Sequence, residues 1–227
     1  MSGLPGACFG LTPDGLPSIY GAMGISTPVG FSLSGGTFDI GIASESQDNL
    51  PRFINLHPGA SNESHGTLQG MVGFGTPLGN LTGTFEVVSS EFDQMYNGQW
   101  QLPLHWKRAG ISLGCQNITQ RPESAPDVTG TNRSFYGVGT YEIARGDYAT
   151  IGVGTARFRE GFGSVCGMIT PRLKGVAEYD TFGFNPGLAY SFGKVKGLGE
   201  DYDHNDVTLF FGYIRSQYAM VALNWAF

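Results

Sequence analysis

The stretch YAMVALNWAF, residues 218–227, alternates between two classes of side chain. One parity carries mostly large apolar residues: Ala219, Val221, Leu223, Trp225 and Phe227. The other parity carries Tyr218, Met220, Ala222, Asn224 and Ala226. Because successive side chains of a β-strand point to opposite faces, this pattern predicts a strand with one strongly apolar face.

The same alternation recurs along much of the chain. In residues 182–192, Gly, Asn, Ala and Ser separate the large residues Phe182, Phe184, Leu188, Tyr190 and Phe192. A sheet in water usually shows a polar open face, whereas small polar residues suit a barrel interior and large apolar residues suit lipid. We therefore predict an all-β fold, an antiparallel transmembrane β-barrel of about twelve strands of roughly ten residues each, over residues 31–227.

The connections between these strands are of two kinds. Thr-Pro pairs recur in LTPDGL, STPVGF, GTPLGN and ITPRL, and Pro77 and Pro171 predict tight turns at one rim of the barrel. A strand over 99–107 is weakened by Pro103, which cannot donate a ladder hydrogen bond. Residues 1–30 are rich in Gly and Pro, and we predict that they form a plug or a loose tail. Longer connections are predicted at the other rim: 46–65, 91–98 and 120–132.

Composition and charge restrict the class of protein. Glycine accounts for 36 of the 227 residues and charged residues for only 14%, which favours strands and turns over long surface helices. The net charge of −6 opposes a nucleic-acid partner, which would require a basic stripe. No apolar window approaches the length of a transmembrane helix, and no signal peptide is visible. We nevertheless expect the protein to lie in the outer membrane.

Motifs for covalent chemistry or metal binding are weak. The loop EDYDHND, residues 200–206, begins like a calcium loop but has Asp206 where glycine is needed and Gly212 where a glutamate is needed. The three cysteines have neither zinc spacing nor a disulfide framework. A hydrolase on the barrel wall using His105 is a weaker alternative, since no serine partner can be assigned. We expect no enzymatic activity, no cofactor and no bound metal.

Charged and aromatic residues supply the candidate functional positions. If the apolar face of each strand meets lipid, charged residues of the opposite parity line the lumen and set its ion preference. The predicted lumen-lining residues are Asp39, Glu86, Arg172, Lys174 and Glu178. Aromatic residues near strand ends are typical of membrane-interface belts; here they are Tyr179, Tyr190, Phe192, Tyr213, Trp225 and Phe227. In a soluble protein, the charges would instead face water and the aromatics would pack in a core.

The pattern of residues 219–227, which finishes on an aromatic residue, resembles the C-terminal signal of bacterial outer-membrane β-barrels. This resemblance implies an outer-membrane location, contact with outer-membrane lipid and recognition of the last strand by the barrel-assembly machinery. The resemblance agrees with the alternating pattern of residues 218–227, which by itself predicts a strand with one apolar face.

A second resemblance covers GAMGISTPVGFSLSGGTFDIGIAS (21–44) and TPRLKGVAEYDTFGFNPGLAYSF (170–192). These segments resemble the YjbH family of outer-membrane proteins, which is associated with exopolysaccharide export. The matching residues are Gly21, Gly24, Thr27, Pro28, Glu178, Tyr179, Asp180, Asn185, Gly187, Leu188, Tyr190 and Phe192.

Two functions from different classes remain open at this point. The first is an outer-membrane barrel that acts as a passive pore for small hydrophilic solutes, or as a component of polysaccharide export or envelope assembly. The second is a soluble all-β module that binds carbohydrate or forms a structural assembly. The face opposite the apolar one favours the barrel, because it carries Gly, Ala, Ser and Asn rather than Lys, Glu and Thr.

Overall fold

The chain forms a closed antiparallel β-barrel of twelve strands in which each strand pairs with its neighbours in sequence and β12 pairs with β1. The computed structural model describes residues 8–45, 66–88, 93–104, 106–119, 133–193, 206–216 and 218–227. The strands are β1 (Phe38–Glu45), β2 (Gly66–Thr76), β3 (Gly79–Val88), β4 (Asp93–Gln101), β5 (Ala109–Gln116), β6 (Ser134–Ala144), β7 (Asp147–Gly154), β8 (Phe162–Thr170), β9 (Leu173–Tyr179), β10 (Phe184–Gly193), β11 (Asp206–Ile214) and β12 (Tyr218–Ala226). The prediction of an all-β antiparallel barrel of about twelve strands is confirmed.

The barrel closes between its first and last strands. Ile40 faces Trp225 and Ile42 faces Leu223 across the β1–β12 seam. Just beyond the strand ends, the backbones of Phe38 and Phe227 exchange hydrogen bonds of 2.8 and 2.9 Å, and their rings stack with centroids 5.7 Å apart. Closure leaves no unpaired sheet edge.

Side chains alternate between a buried interior and an exposed exterior. On β7, Tyr148 and Thr150 are buried, while Ile151 and Val153 are 76% and 58% exposed. The exposed set on the other strands is also apolar: it includes Ile42, Leu68, Phe74, Phe135, Val165, Leu188, Phe211 and Val221. The exterior is therefore an apolar belt, the reverse of a protein that folds around an apolar core in water.

The two rims of the barrel differ in their connections. The terminal rim carries Phe38 and Phe227 together with the tight turns 77–78, 145–146 and 171–172. The opposite rim carries the connections 155–161 and 180–183 and residues 215–216, with a short 3₁₀ helix at Ala156–Phe158. Gly146, at φ +85°, occupies the left-handed region that its tight turn requires. Within the described residues, no helix is long and apolar enough to cross a membrane.

One predicted connection is wrong. The sequence predicts a long loop over 91–98, but Asp93–Gln101 forms β4, and Pro103 lies beyond the end of this strand. Met95, Asn97 and Gln99 of β4 are buried in the interior. The polar side chains of Asn97 and Gln99 resemble those of a loop, but the inward face of a barrel strand also carries such side chains. The proposed loops at 46–65, 120–132 and most of 200–206, as well as His105, lie outside the described residues.

Residues 8–34, which we call the inner segment, lie largely inside the barrel. Its apolar residues, among them Phe9, Met23 and Phe31, are buried in one cluster with inward residues of β2, β4 and β7–β12. The segment folds back on itself, since Leu11 bridges to both Pro17 and Ala22. It continues past residue 30, and β1 begins only at Phe38.

Candidate functional site

The charged residues predicted for the lumen do not all lie on the inner wall. Asp39, Glu86, Lys174 and Glu178 are fully buried in the interior. Arg172 is different: it lies in the 171–172 turn with an exposed side chain. The Thr170 hydroxyl accepts hydrogen bonds from the backbone N–H groups of Arg172 and Leu173, at 3.4 and 3.1 Å, and so shapes this turn. The strand face of β9 therefore begins at Leu173, and Arg172 does not share it with Lys174.

Glu178 on β9 binds the turn of the inner segment that contains Ser26. Its Oε2 accepts hydrogen bonds from the Ile25 backbone N–H at 2.7 Å and from the Thr27 hydroxyl at 2.7 Å. Its Oε1 accepts hydrogen bonds from the Ser26 hydroxyl at 2.8 Å and the Asn185 amide at 2.8 Å. Hydrogen bonds to an ionised acceptor are roughly twice as strong as neutral ones. Glu178 is thus the main polar anchor of the inner segment.

Asp180 lies beside this anchor and receives two cationic side chains. Its Oδ2 is 4.0 Å from Arg157 Nη2 and 3.8 Å from Arg215 Nε. Its Oδ1 accepts hydrogen bonds from the backbone N–H groups of Phe182 and Gly183, at 3.1 and 3.0 Å. We call Glu178, Asp180, Asn185, Arg157 and Arg215 the anchor cluster. Its two carboxylates and two guanidinium groups balance in charge, as buried charges must.

The inner segment has further polar ties to the wall. Lys174 Nζ donates a hydrogen bond to the Gly21 carbonyl and lies 5.3 Å from the centre of the Tyr148 ring. The Gly30 backbone N–H donates to the Thr140 hydroxyl at 2.8 Å, and the Gly30 carbonyl accepts from Ser112 at 3.0 Å. Bonds to β3 and β4 involve Thr82, Gln99 and Gln101. The segment is therefore held from several strands rather than at one point.

The six predicted interface aromatics occur near both rims. Tyr179 and Tyr213 lie toward the opposite rim and are about half exposed. The remaining four lie toward the terminal rim: Tyr190, Phe192, Trp225 and Phe227. The rings of Tyr190 and Phe192 are 5.2 Å apart, and those of Trp225 and Phe227 are 4.8 Å apart. All six belong to the outward parity of their strands.

Most residues of the anchor cluster carry no signal in the sequence that predicts their role. Arg157 and Arg215 lie in connections rather than on strands, so strand alternation gives them no signal. Asp180 and Asn185 stood among the residues that resemble the YjbH family, but no partner could be assigned to them. No group of three His, Cys, Asp or Glu residues within the described part of the chain is arranged to hold a metal ion.

Comparison with known proteins identifies the class of fold. The chain shares its closed twelve-stranded antiparallel barrel with solved porins at very low sequence identity. One is a KdgM porin, with a TM-score of 0.51 and 10% identity over 83% of this chain and 98% of that one. Another is a KdgM porin in complex with disordered oligogalacturonate, with a TM-score of 0.50 and 9% identity over the same shares.

No protein-family model matches the chain, and no curated protein matches it. The resemblance to the YjbH family therefore receives no support from these comparisons. The structure does bring its two segments together, since Thr27 of the first contacts Glu178 of the second.

Proposed function

We propose that the chain is a bacterial outer-membrane β-barrel that acts as a passive channel for small hydrophilic solutes. The observation that carries this proposal is the apolar belt on the outside of a closed barrel. Soluble monomers rarely expose contiguous apolar patches larger than a few hundred Å². Here all twelve strands contribute exposed apolar residues, for example Ile42 on β1 and Val221 on β12. Lipid solvates such a belt, and closure satisfies the backbone within it.

The position of the aromatic residues supports a membrane boundary at each rim. Aromatic girdles flank the apolar band of outer-membrane barrels. Tyr179 and Tyr213 would form part of one girdle, and Tyr190, Phe192 and Trp225 part of the other. The alternating pattern of β12 would serve as the signal for the barrel-assembly machinery.

The inner segment would act as a plug that narrows the lumen. Most of its residues are buried, and it binds β9 through Glu178 and β6 through Thr140. A lumen occupied in this way suits small solutes rather than long polymers. A passive channel also requires no covalent chemistry.

Charge inside the barrel favours neutral or cationic solutes. Among the described residues, the buried charged side chains comprise four acids and three bases: Asp39, Glu86, Glu178, Asp180, Arg157, Lys174 and Arg215. Oligogalacturonate, seen with one KdgM porin, is a polyanion, so we do not transfer that ligand to this chain. A role in polysaccharide export would depend on the YjbH-like segments alone, and three of their matching residues, Glu178, Asp180 and Asn185, have a structural explanation in the anchor cluster.

The test combines location with permeability. The membrane fraction is run on a detergent gel with and without boiling, and purified protein is reconstituted in liposomes for swelling assays with neutral sugars of increasing size. We expect a folded band that shifts on boiling, and swelling with small sugars only. Protein that stays in the soluble fraction without a shift would overturn the proposal and favour a soluble carbohydrate-binding module. A shifting band with no swelling and no conductance would retain the barrel and reject the channel.

A further inference from the structure

A cationic side chain is held on the outer surface of the barrel near the terminal rim. Arg108 directly precedes β5, and its side chain is exposed. Its Nη2 donates a hydrogen bond to the Ile143 carbonyl at 2.6 Å, and its guanidinium carbon lies 5.7 Å from the centre of the Tyr141 ring. Tyr141 and Ile143 have the outward parity of β6 and are 52% and 58% exposed. A guanidinium group has more N–H donors than this one contact uses, so donors remain for a ligand on the lipid-facing side.

The positive charge at this point is not compensated by the described residues. Lys107 precedes Arg108 and is also exposed. Within the described part of the chain, no carboxylate lies within ion-pair distance of either side chain. Glu142, the acid of β6, has the inward parity, and its Oε1 accepts a hydrogen bond from the Gly146 backbone N–H at 3.4 Å. The outer surface is therefore cationic where the apolar belt meets the terminal rim.

An open apolar groove of about 730 Å³ runs along the outside of β6. Strand pairing places Ile111 and Ile151 on either side of Gly139, and all three residues line the groove together with Gly137. A Cβ at Gly139 would meet nothing within 4 Å, so the space over this residue is unfilled. Tyr141 follows Gly139 on the same face, about 7 Å further toward the terminal rim. The groove and the cation therefore lie on one outer face of the barrel.

The dimensions and the chemistry of this face fit one kind of molecule. The distance along β6 from Tyr141 to Gly137 is about 13 Å, close to half of the roughly 30 Å hydrocarbon core of a bilayer. One acyl chain of one leaflet occupies that depth. Basic side chains at the edge of a membrane attract anionic headgroups. Glu160, the charged residue that lines the groove, lies at the end near the opposite rim, away from the cation.

We propose that the outer face of β5–β7 binds an anionic phospholipid. Its phosphate is held by Arg108 and Lys107, and one of its acyl chains lies in the groove over Gly139 and Gly137. Tight turns are typical of the periplasmic side of an outer-membrane barrel, so the lipid belongs to the leaflet on that side. The inference rests on the membrane location within the proposed function and does not depend on conduction.

The first test compares two headgroups on the same acyl chains. Purified protein in detergent is titrated with phosphatidylglycerol or with phosphatidylcholine, and bound lipid is counted by native mass spectrometry. We expect phosphatidylglycerol to bind more tightly, and Arg108→Gln to lower this preference about fivefold, the factor that one basic residue contributes near an anionic surface. The control is Arg159→Gln, which removes an exposed cation of the opposite rim that lies 3.6 Å from Glu160. This control should leave the preference unchanged.

The second test fills the groove without changing the charge. Gly139→Phe places a ring where the structure leaves open space, and we expect it to weaken phosphatidylglycerol binding at least about fivefold. The matched control is Gly70→Phe. Gly70 has the outward parity of β2, and a Cβ there would also meet nothing within 4 Å. The control adds the same ring to the belt away from β5–β7 and should leave binding unchanged.

The outcomes separate this inference from the proposed function. Each variant is first checked for the heat-modifiable band, so that misfolding is not read as lost binding. A heat-modifiable barrel that binds both lipids equally, or that keeps its preference in Arg108→Gln, would overturn the lipid site and keep the membrane barrel. Equal binding by Gly139→Phe and Gly70→Phe would also overturn the site. Protein that stays in the soluble fraction without a shifting band would overturn the proposed function itself.

Discussion

In the barrel interior, the Glu178 carboxylate accepts a hydrogen bond from the Ile25 backbone N–H at 2.7 Å, across 153 residues of sequence. The same oxygen accepts a hydrogen bond from the Thr27 hydroxyl. One side chain therefore satisfies the buried backbone and hydroxyl donors of a turn that has no regular secondary structure. Without such an acceptor, these donors would be buried and unpaired, which is costly.

Glu178→Gln tests this anchor directly. The amide keeps the size of the side chain but removes the charge and replaces one acceptor oxygen by a donor. Hydrogen bonds to charged groups contribute about 1.5–3 kcal/mol, so we expect local opening of residues 24–28 to become easier by at least about tenfold. Hydrogen exchange read by mass spectrometry measures it. Faster exchange in the inner segment with an intact barrel is expected; unchanged exchange there would show that Glu178 is not the anchor.

Gly24→Ala tests the shape of the same turn. A Cβ at Gly24 would lie 2.2 Å from the carbonyl oxygen of Thr27, a backbone atom that cannot move aside without opening the turn. We expect destabilisation of about 1–3 kcal/mol, as for other overpacked sites, seen as a lower temperature for the unfolding gel shift. The matched control is Gly70→Ala, where a Cβ would meet nothing within 4 Å. Equal shifts for the two variants would contradict the close packing of the turn.

Strand alternation explains how much of the fold could be predicted from sequence. Large residues at every second position mark the outer face of β10 and β12, because only lipid-facing positions need them on a barrel with a small-residue interior. The alternation is weaker in β4. Its inward Asn97 and Gln99 are residue types common in loops, and its outward Gly98 interrupts the series of large apolar residues. Strand parity is reliable only where one face is uniformly apolar.

The anchor cluster could not be derived from sequence for a different reason. Glu178 lies on a strand, and its inward direction follows from parity. The groups that donate hydrogen bonds to it, however, belong to residues 25–27, far away in the chain. Arg157 and Arg215 come from connections at the opposite rim, where no periodic pattern exists. Arg172 has the same parity as Lys174, so alternation alone predicts that both line the lumen, but β9 begins only at Leu173 and Arg172 belongs to the preceding turn.

Phe227→Ser tests the closure of the barrel. Its ring stacks on Phe38 and contacts Trp225, and its backbone closes the β1–β12 seam. We expect a smaller fraction of protein in the heat-modifiable form, because stacking across the seam is lost together with the apolar contact. Phe227→Tyr keeps the ring and should retain the folded fraction. If both variants fold as well as the unmodified chain, the ring of Phe227 has no role in closure.

Ile151→Lys distinguishes a lipid-facing belt from a water-facing sheet. Ile151 lies in the middle of β7 and is 76% exposed. On the lipid face of a barrel, Lys or Arg near the bilayer midplane costs about 2–4 kcal/mol, whereas an exposed position in water tolerates it within about 0.5 kcal/mol. We expect a matching drop in unfolding free energy, measured by urea titration in lipid vesicles. The control Glu160→Lys places the same charge at the opposite rim, where it should have little effect. A stable Ile151→Lys protein in vesicles would place β7 in water and contradict the membrane assignment.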